Sequence, residues 1–296
     1  MLRIGSRGSK LALWQANFLK QQLSDFKVES SITVIKTQGD KIQNIGFDKM
    51  EGKGFFTKEI EEALLNNQID VAVHSMKDMP TEKVEGLVIT AVSERVNPAD
   101  WLLIQKESVD AEHTFKLKKG ALVGTSSARR KGQLLHYRAD LNIKDLRGNV
   151  PTRIEKLRQG NYDAIVLAAA GIQRLNLDIS DLEVVAFNPK EFVPAPAQGV
   201  LAFQCREKDV EIRKILKQVH HSDVSELTNI ERKVLKLLDG SCHLPLGVFC
   251  EKDTMGHFHT FAAWAEDVHQ PMQFVRSSQS TKHMLAERIV EKLKSH

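Results

Sequence analysis

The stretch Val71-Ala72-Val73-His74-Ser75-Met76-Lys77-Asp78-Met79-Pro80 decides how the chain is read. Small apolar residues follow Ile69-Asp70, the run then turns polar, and Pro80 closes it. Such a run reads as a buried strand ended by a turn. His74, Ser75, Lys77 and Asp78 then stand at the carboxyl end of the strand, the edge at which open α/β sheets hold their ligands. Four different functional groups within five residues suit acid–base chemistry or charge stabilisation. Taken alone, the peptide reads more simply as a polar loop in which Asp78 caps a turn.

Working outward, Leu2-Arg3-Ile4-Gly5 is a short strand, and Ser9 is placed to N-cap a helix over 11–23 with Leu11, Trp14 and Phe18 at helical spacing. Residues 32–35 form a second strand, 47–53 a loop, and Phe56, Ile60, Ala63 and Leu64 the stripe of the next helix. The plan then recurs. Residues 121–124 are a strand, Thr125-Ser126-Ser127 a polar turn, and a helix starts at Ala128. A strand over 142–146 ends at Arg147-Gly148-Asn149, and Pro151 opens a helix whose stripe is Ile154, Leu157 and the stem of Arg158. Asn161-Tyr162-Asp163-Ala164-Ile165-Val166-Leu167 parallels Gln68-Ile69-Asp70-Val71-Ala72-Val73-His74. This order predicts two related α/β lobes facing a cleft. Residues 93–98 and 188–196 are the crossings, the second returning 200–203 as a strand of the first lobe. Beyond Asp223, a helix with Leu227, Ile230, Val234 and Leu237 stops near Gly240. Strand-like runs at 247–250, 258–264 and 274–276 and a terminal helix from about Thr281 complete a small α+β domain. The expected domains are 1–95 with 198–217, 98–192, and 220–296.

Composition excludes several classes. No stretch is apolar enough to span a bilayer and no signal peptide precedes the fold. Three cysteines, Cys205, Cys242 and Cys250, lack metal-type spacing, which fits a reducing cytoplasm. The net charge of +4 is too small to imply nucleic acid. Placement says more. Arg129, Arg130 and Arg153 fall in the first turns of their helices, where cations oppose the macrodipole by roughly a few tenths of a kcal/mol. Arg7, Arg147 and Arg174 sit at other element ends. Any one of the six reads as solvated charge; together they mark a cleft for a polyanion. Nucleic acid calls for stacking aromatics, only 6% here, and phosphate for a glycine-rich loop that is absent. Polycarboxylate suits the guanidinium fork best.

Together these residues resemble the porphobilinogen deaminase family. The resemblance runs over 3–14, 52–56, 72–80, 124–130, 146–153, 167–175, 198–199 and 240–247, and the motifs VHSMKD, GTSSARR and LRGN are jointly specific. It implies two lobes like those of type II periplasmic binding proteins plus a small α+β third domain. It also implies head-to-tail joining of four porphobilinogen molecules, with release of ammonia, to give hydroxymethylbilane on a dipyrromethane cofactor held by a thioether. Cys242, in Gly240-Ser241-Cys242-His243, matches the attachment cysteine; without the resemblance it reads as a structural loop residue, and Cys205 and Cys250 as core. Asp78 matches the catalytic aspartate, with His74, Ser75 and Lys77 beside it. Arg7, Arg129, Arg130, Arg147, Arg153 and Arg174 match groups that bind acetate and propionate side chains, and Ser9, Thr125, Ser126, Ser127 and Asn149 would add neutral hydrogen bonds. Lys49, Lys53 and Phe56 match a mobile loop, and Gln198 lies in a matching Gln-Gly pair. Ala197 stands where the family usually has glycine, and Gln204 replaces a usual glutamate. The implied protein is a monomer acting on a small molecule, with no nucleic-acid or membrane partner and no metal. The rival is a two-lobed polycarboxylate-binding protein without catalysis. A metal reading from His257 and His259, or His220-His221, lacks further ligands at metal spacing.

Overall fold

The computed structural model describes residues 1–37, 57–239, 244–268 and 270–295. The chain begins with β1 (Leu2–Ser6), α1 (Lys10–Asp25), β2 (Ser30–Val34), α2 (Lys58–Leu65), β3 (Val71–Ser75) and β4 (Leu87–Val92). Next come β5 (Asp100–Ile104), β6 (Leu122–Gly124), α3 (Ala128–Tyr137), β7 (Asn142–Lys144), α4 (Val150–Arg158), β8 (Ala164–Ala168), α5 (Ala169–Arg174) and β9 (Glu183–Ala186). The last elements are β10 (Leu201–Arg206), α6 (Val210–Lys217), α7 (Ser222–Leu237), β11 (Leu246–Lys252), β12 (Phe258–Trp264), β13 (Gln273–Gln279) and α8 (Leu285–Lys294). Two compact units result: Met1–Val96 with Gly199–Glu226, and Asn97–Gln198 with Leu227–His296.

The first unit holds a sheet in the order β2-β1-β3-β10-β4, with β1 parallel to β2 and β3, and β10 antiparallel to β3 and β4. The second holds β7-β6-β8-β5-β9 with the same directions. In each, the antiparallel strand next to the third parallel one begins where the chain has just crossed from the other unit. Successive side chains of β3 point to opposite faces. Val71 and Val73 pack with Leu19 and Leu23 of α1, and Ala72 with Ile60 and Leu64 of α2. Burial on both faces explains the unbroken apolar run of this strand. β8 repeats the arrangement, with Val166 toward Leu134 of α3 and Ile165 and Leu167 toward Ile154 and Leu157 of α4.

The two sheets also share their fastenings. Asp70 Oδ2 accepts from Arg3 N at 2.9 Å, and Asp163 Oδ2 from Leu122 N at 2.8 Å, at equivalent positions. Arg206 Nη1 donates to the carbonyls of Leu64 and Ile69, and Gln105 Nε2 to those of Leu157 and Tyr162. Gly5 and Gly124 make room for Ile69 and Tyr162 respectively. These pairs turn the weak echo between 68–74 and 161–167 into matched structure.

β11, β12 and β13 form an antiparallel meander. One face packs Val248, Ala262 and Val275 on Ile230 and Val234 of α7 and Ile289 of α8. The other brings Phe249, Ala263 and Met272 against Val193. A Cβ at Gly247 would strike the Val193 carbonyl, so the close approach there requires glycine. The terminal helix starts at Leu285 rather than Thr281, because Met284 is left-handed at φ 56°. Arg158 leaves the apolar stripe of α4 for an ion pair with Asp181 at 2.7 Å. The strand after Asn142 ends at Lys144, short of Leu146. Ala197 adopts φ 63°, the left-handed region that glycine favours, and is fully buried. Glu231 holds it there: one carboxylate oxygen accepts from Ala197 N at 2.6 Å and the other from Cys250 N at 2.8 Å. No helix among the described residues is long and apolar enough to cross a membrane.

Candidate active site

In the first unit the polar residues gather at the end of β3. Register places His74 opposite Ala202 and Ser75 opposite Leu201 of β10. His74 is buried, its Nε2 3.1 Å from Gln204 Oε1, and burial pushes the imidazole down to about 4. Ser75 Oγ accepts from Gln15 Nε2 of α1 at 2.9 Å. A 3₁₀ turn, Met76–Asp78, then carries Lys77, half-buried, and Asp78, exposed, while Met76 and Met79 anchor it in the interior. The strand's burial thus delivers a carboxylate to the surface on a turn pinned at both ends. Arg7 is half-buried just past β1, and Ser9 caps α1 by accepting from Ala12 N at 3.2 Å.

In the second unit the arginines divide into two kinds. Arg129 and Arg130 are buried around Asp100, with Nη1 and Nη2 respectively 2.7 Å from its two carboxylate oxygens. Gln198 Nε2 donates to the same carboxylate at 2.9 Å and to Pro98 O at 2.7 Å. Burial alone would raise the Asp100 carboxyl, but the two guanidinium charges outweigh it and hold it well below the usual carboxylate range. Two cations face one anion, so the cluster keeps a surplus positive charge at the amino end of α3. Arg130 Nη1 also donates to Val166 O, and Arg129 Nη1 to Val193 O, both at 2.9 Å.

Arg147, Asn149 and Arg153 share the connection from β7 into α4. Arg153 Nε donates to Gly148 O at 2.7 Å, and Arg147 Nη2 lies 3.9 Å from Asp145. Asn149 caps α4, accepting from Thr152 N at 3.0 Å. Arg174 ends α5 largely buried, and desolvation lowers its guanidinium to about 10, still charged at neutral pH. Ser127 caps α3 at Arg130 N, Thr125 Oγ1 accepts from Ser127 N, and Ser126 Oγ exchanges hydrogen bonds with Leu146. A hydroxyl that caps a helix accepts with its oxygen, which leaves its proton to donate, the polarity that a carboxylate needs. Lys49, Lys53, Phe56 and Cys242 lie outside the described residues.

The sequence reading missed Asp100, Gln15 and Glu61. Asp100 carries a signal: a carboxylate opening the apolar strand Asp100–Ile104 asks for a cationic partner. Gln15, on the buried face of α1, and Glu61, on that of α2, likewise interrupt apolar stripes.

Residues 2–214 match a family model described as "Porphobilinogen deaminase, dipyromethane cofactor binding domain". The chain belongs to the porphobilinogen deaminase family. The porphobilinogen deaminase of Chloroherpeton thalassium is 43% identical over 270 residues, 90% of this chain and 83% of that protein. That of Fusobacterium nucleatum is 46% identical over 252 residues, 84% of this chain and 82% of that one. Among solved structures, a Salmonella typhimurium periplasmic binding protein with high arginine specificity aligns at TM-score 0.42 and 13% identity, over 74% of this chain and 91% of that one. As a porphobilinogen deaminase family member the chain is a transferase of tetrapyrrole biosynthesis that uses a dipyrromethane cofactor.

Its second unit suits such a cofactor. Pyrroles bearing acetate and propionate need several cations and few competing anions. Asp100 is buried behind Arg129 and Arg130, while Arg147 and Arg153 remain partly exposed.

Proposed function

We propose that Asp78 is the catalytic carboxylate of the condensation that joins four porphobilinogen molecules, and that Cys242 holds the dipyrromethane. The observation that carries the first assignment is the end of β3, where a strand buried on both faces leads into a short turn that bears an exposed aspartate. Loss of ammonia from the aminomethyl group of porphobilinogen leaves a cation spread over the pyrrole. A carboxylate beside the pyrrole N–H stabilises that charge as it develops and can move a proton. Lys77 and Ser75 orient the substrate's carboxylates, and Ser75, already accepting from Gln15, is left to donate.

Arg7, Arg147, Arg153 and Arg174 bind acetate and propionate groups directly, with Ser9, Ser127 and Asn149 adding neutral hydrogen bonds. Arg129 and Arg130 contribute the surplus charge of their cluster with Asp100, and Thr125, Ser126 and Gln198 shape the backbone around it. Lys49, Lys53 and Phe56 act as further members of the site. When bound, the dipyrromethane supplies the carbon to which the first new pyrrole is joined. Cys205 and Cys250 are both buried in strands, which suits neither to carry a two-ring adduct and supports the assignment to Cys242. The protein acts as a cytoplasmic monomer.

Intact-protein mass spectrometry tests this reading. The purified protein is expected to carry a two-ring adduct at rest. After brief exposure to porphobilinogen it should show a ladder of species one pyrrole apart. Cys242→Ser should lack the adduct, while Cys205→Ser and Cys250→Ser keep it. An active, unmodified wild type, or an adduct on Cys205 or Cys250, overturns the attachment site.

A further inference from the structure

A buried polar chain runs behind the end of β3. Gln204 of β10 pairs in register with Ala72, which places its side chain diagonally beside His74 on the same face of the sheet. A register shift between Phe203 and Gln204 on the β4 side breaks the ladder there, the kind of irregularity that re-aims a side chain. Gln204 Oε1 lies 3.1 Å from His74 Nε2, and Gln204 Nε2 donates to Glu61 Oε1 at 3.0 Å. Thr57, at the amino end of α2, donates its hydroxyl to the other Glu61 oxygen at 3.2 Å. His74, Gln204, Glu61 and Thr57 are all buried.

The direction of this chain is fixed from one end. Glu61 sits in the first turn of α2, where the helix dipole favours a carboxylate, and a carboxylate only accepts. The amide nitrogen of Gln204 must therefore face Glu61, which turns its carbonyl to His74. A carbonyl only accepts, so His74 carries its proton on Nε2. We propose that Gln204 is a positioning residue: it locks His74 in the Nε2–H tautomer and so fixes the strand end from which Ser75, Lys77 and Asp78 project.

The surroundings keep the imidazole uncharged. Among the described residues, the apolar cluster that includes Ala72, on the same face of β3 as His74, consists of Ile60, Ala63, Leu64, Ile69, Ala72 and Leu87. Glu61 is linked to His74 through the neutral amide of Gln204. Arg206, two residues beyond Gln204, is committed to the carbonyls of Leu64 and Ile69 and to Asp70 and Asp209. A neutral link gives the strand end one fixed geometry across the pH range in which a carboxylate in its place would draw a proton onto the ring.

The proposal rests on Asp78 as the reacting carboxylate, and its test separates the two. The full chain, labelled with ¹⁵N-histidine, is examined by long-range ¹H–¹⁵N correlation, with His74 assigned by the loss of its signals in His74→Phe. The expected result at pH 7 is a neutral Nε2–H ring that does not titrate between pH 5.5 and 8. In Gln204→Glu the ring should titrate within that range, a change in its protonation constant of at least about a hundredfold. Gln204→Leu should lower kcat roughly tenfold, less than the hundredfold that a displacement of about 1 Å costs, with KM changed less than about twofold. An Nδ1–H tautomer, a wild-type ring titrating near its ordinary value, or unchanged kcat in a folded Gln204→Leu overturns the proposal. Should Asp78→Asn retain turnover, the catalytic assignment falls while the tautomer in the wild type still stands or fails by itself.

Discussion

The two five-stranded sheets are alike up to the last residues of their third parallel strands, β3 and β8, and part company beyond them. β3 ends in His74-Ser75 and a turn bearing Lys77 and Asp78; β8 ends in Leu167-Ala168 and enters the helix Ala169-Ala170-Gly171-Ile172. Strand order, carboxylate fastening and glycine seat are kept, while the groups proposed to react stand on one sheet and most of the arginines on the other. The frame is therefore set by burial on both strand faces, which both sheets share. The two units differ in a few residues beyond the strand ends, where packing no longer dictates the side chain, and the proposed chemistry rests on these. One frame can carry a reacting edge in one unit and an anion-holding edge in the other.

Changing single residues on each side should break the likeness in different ways. The largest effect is expected for Asp78→Asn, which on the proposed assignment removes charge where cation develops. Hydroxymethylbilane formation should fall at least about a hundredfold. Because Asp78 is exposed, the denaturation midpoint should hardly move, within about 0.5 kcal/mol. Arg129→Leu should act the opposite way. It breaks a buried ion cluster and should destabilise the second unit by about 3 kcal/mol or more, read from urea unfolding. Arg147→Leu, partly exposed, should leave the urea midpoint in place and slow chain growth instead.

The glycine seats sharpen the comparison. A Cβ on Gly124 would lie 2.8 Å from Cδ1 of Tyr162, a ring tied down by its hydroxyl to Asp145 O at 2.6 Å. On Gly5 it would meet the terminal methyl of Ile69, which can rotate away. Gly124→Ala should therefore cost about 1–3 kcal/mol and Gly5→Ala distinctly less, measured side by side by thermal unfolding. Equal losses would mean that the two seats are packed alike.

Acid should distinguish the units last and most gently. The folded-state value of His74 lies near 4, below its ordinary 6.5, so the unfolded chain binds the extra proton between those values. Stability from the neutral ring is full above 6.5 and lost as pH falls toward 4, on the order of 3 kcal/mol at most. Asp70, held to about 2 chiefly by its hydrogen bonds from Arg3, keeps its contribution above about 3.8 and loses it only as pH falls toward 2. Asp100 likewise yields only below the usual carboxylate range. Amide protection factors, the exchange rates divided into the intrinsic rates at each pH, should fall in β3 and α2 between pH 6 and 4, before they do so around β5 and α3.

Much of this was legible in the sequence because it is local. Ser9 caps the helix that its residue type announces, and the run Val71–Val73 is apolar because both faces are covered, whereas the sequence reads Ser127 and Asn149, which also cap helices, only as turn and strand-end residues. The destination of Arg129 and Arg130 was not legible. Their partner, Asp100, lies some thirty residues upstream, and only the fold brings it to the amino end of α3. Read from spacing alone, both arginines look outward; buried, they first satisfy the chain's own carboxylate. The polarity of His74 was hidden for the same reason, since Gln204 and Glu61 come from elements 130 and 143 residues apart in their hydrogen-bonded pairs with it and with each other. Ala197 shows the reverse: its place where the family usually has glycine was legible, but neither its left-handed backbone nor the buried carboxylate of Glu231 that holds it was.

The division of labour between the sheets is tested most directly by intact mass after brief exposure to porphobilinogen, with Asp78→Asn, Arg147→Leu and wild type run in parallel. Wild type should climb through successive one-pyrrole species. Asp78→Asn should show no species heavier than its resting form, and Arg147→Leu should start the ladder and accumulate short of its end. An Asp78→Asn protein that climbs at the wild-type pace would contradict the assignment of the chemistry to the end of β3.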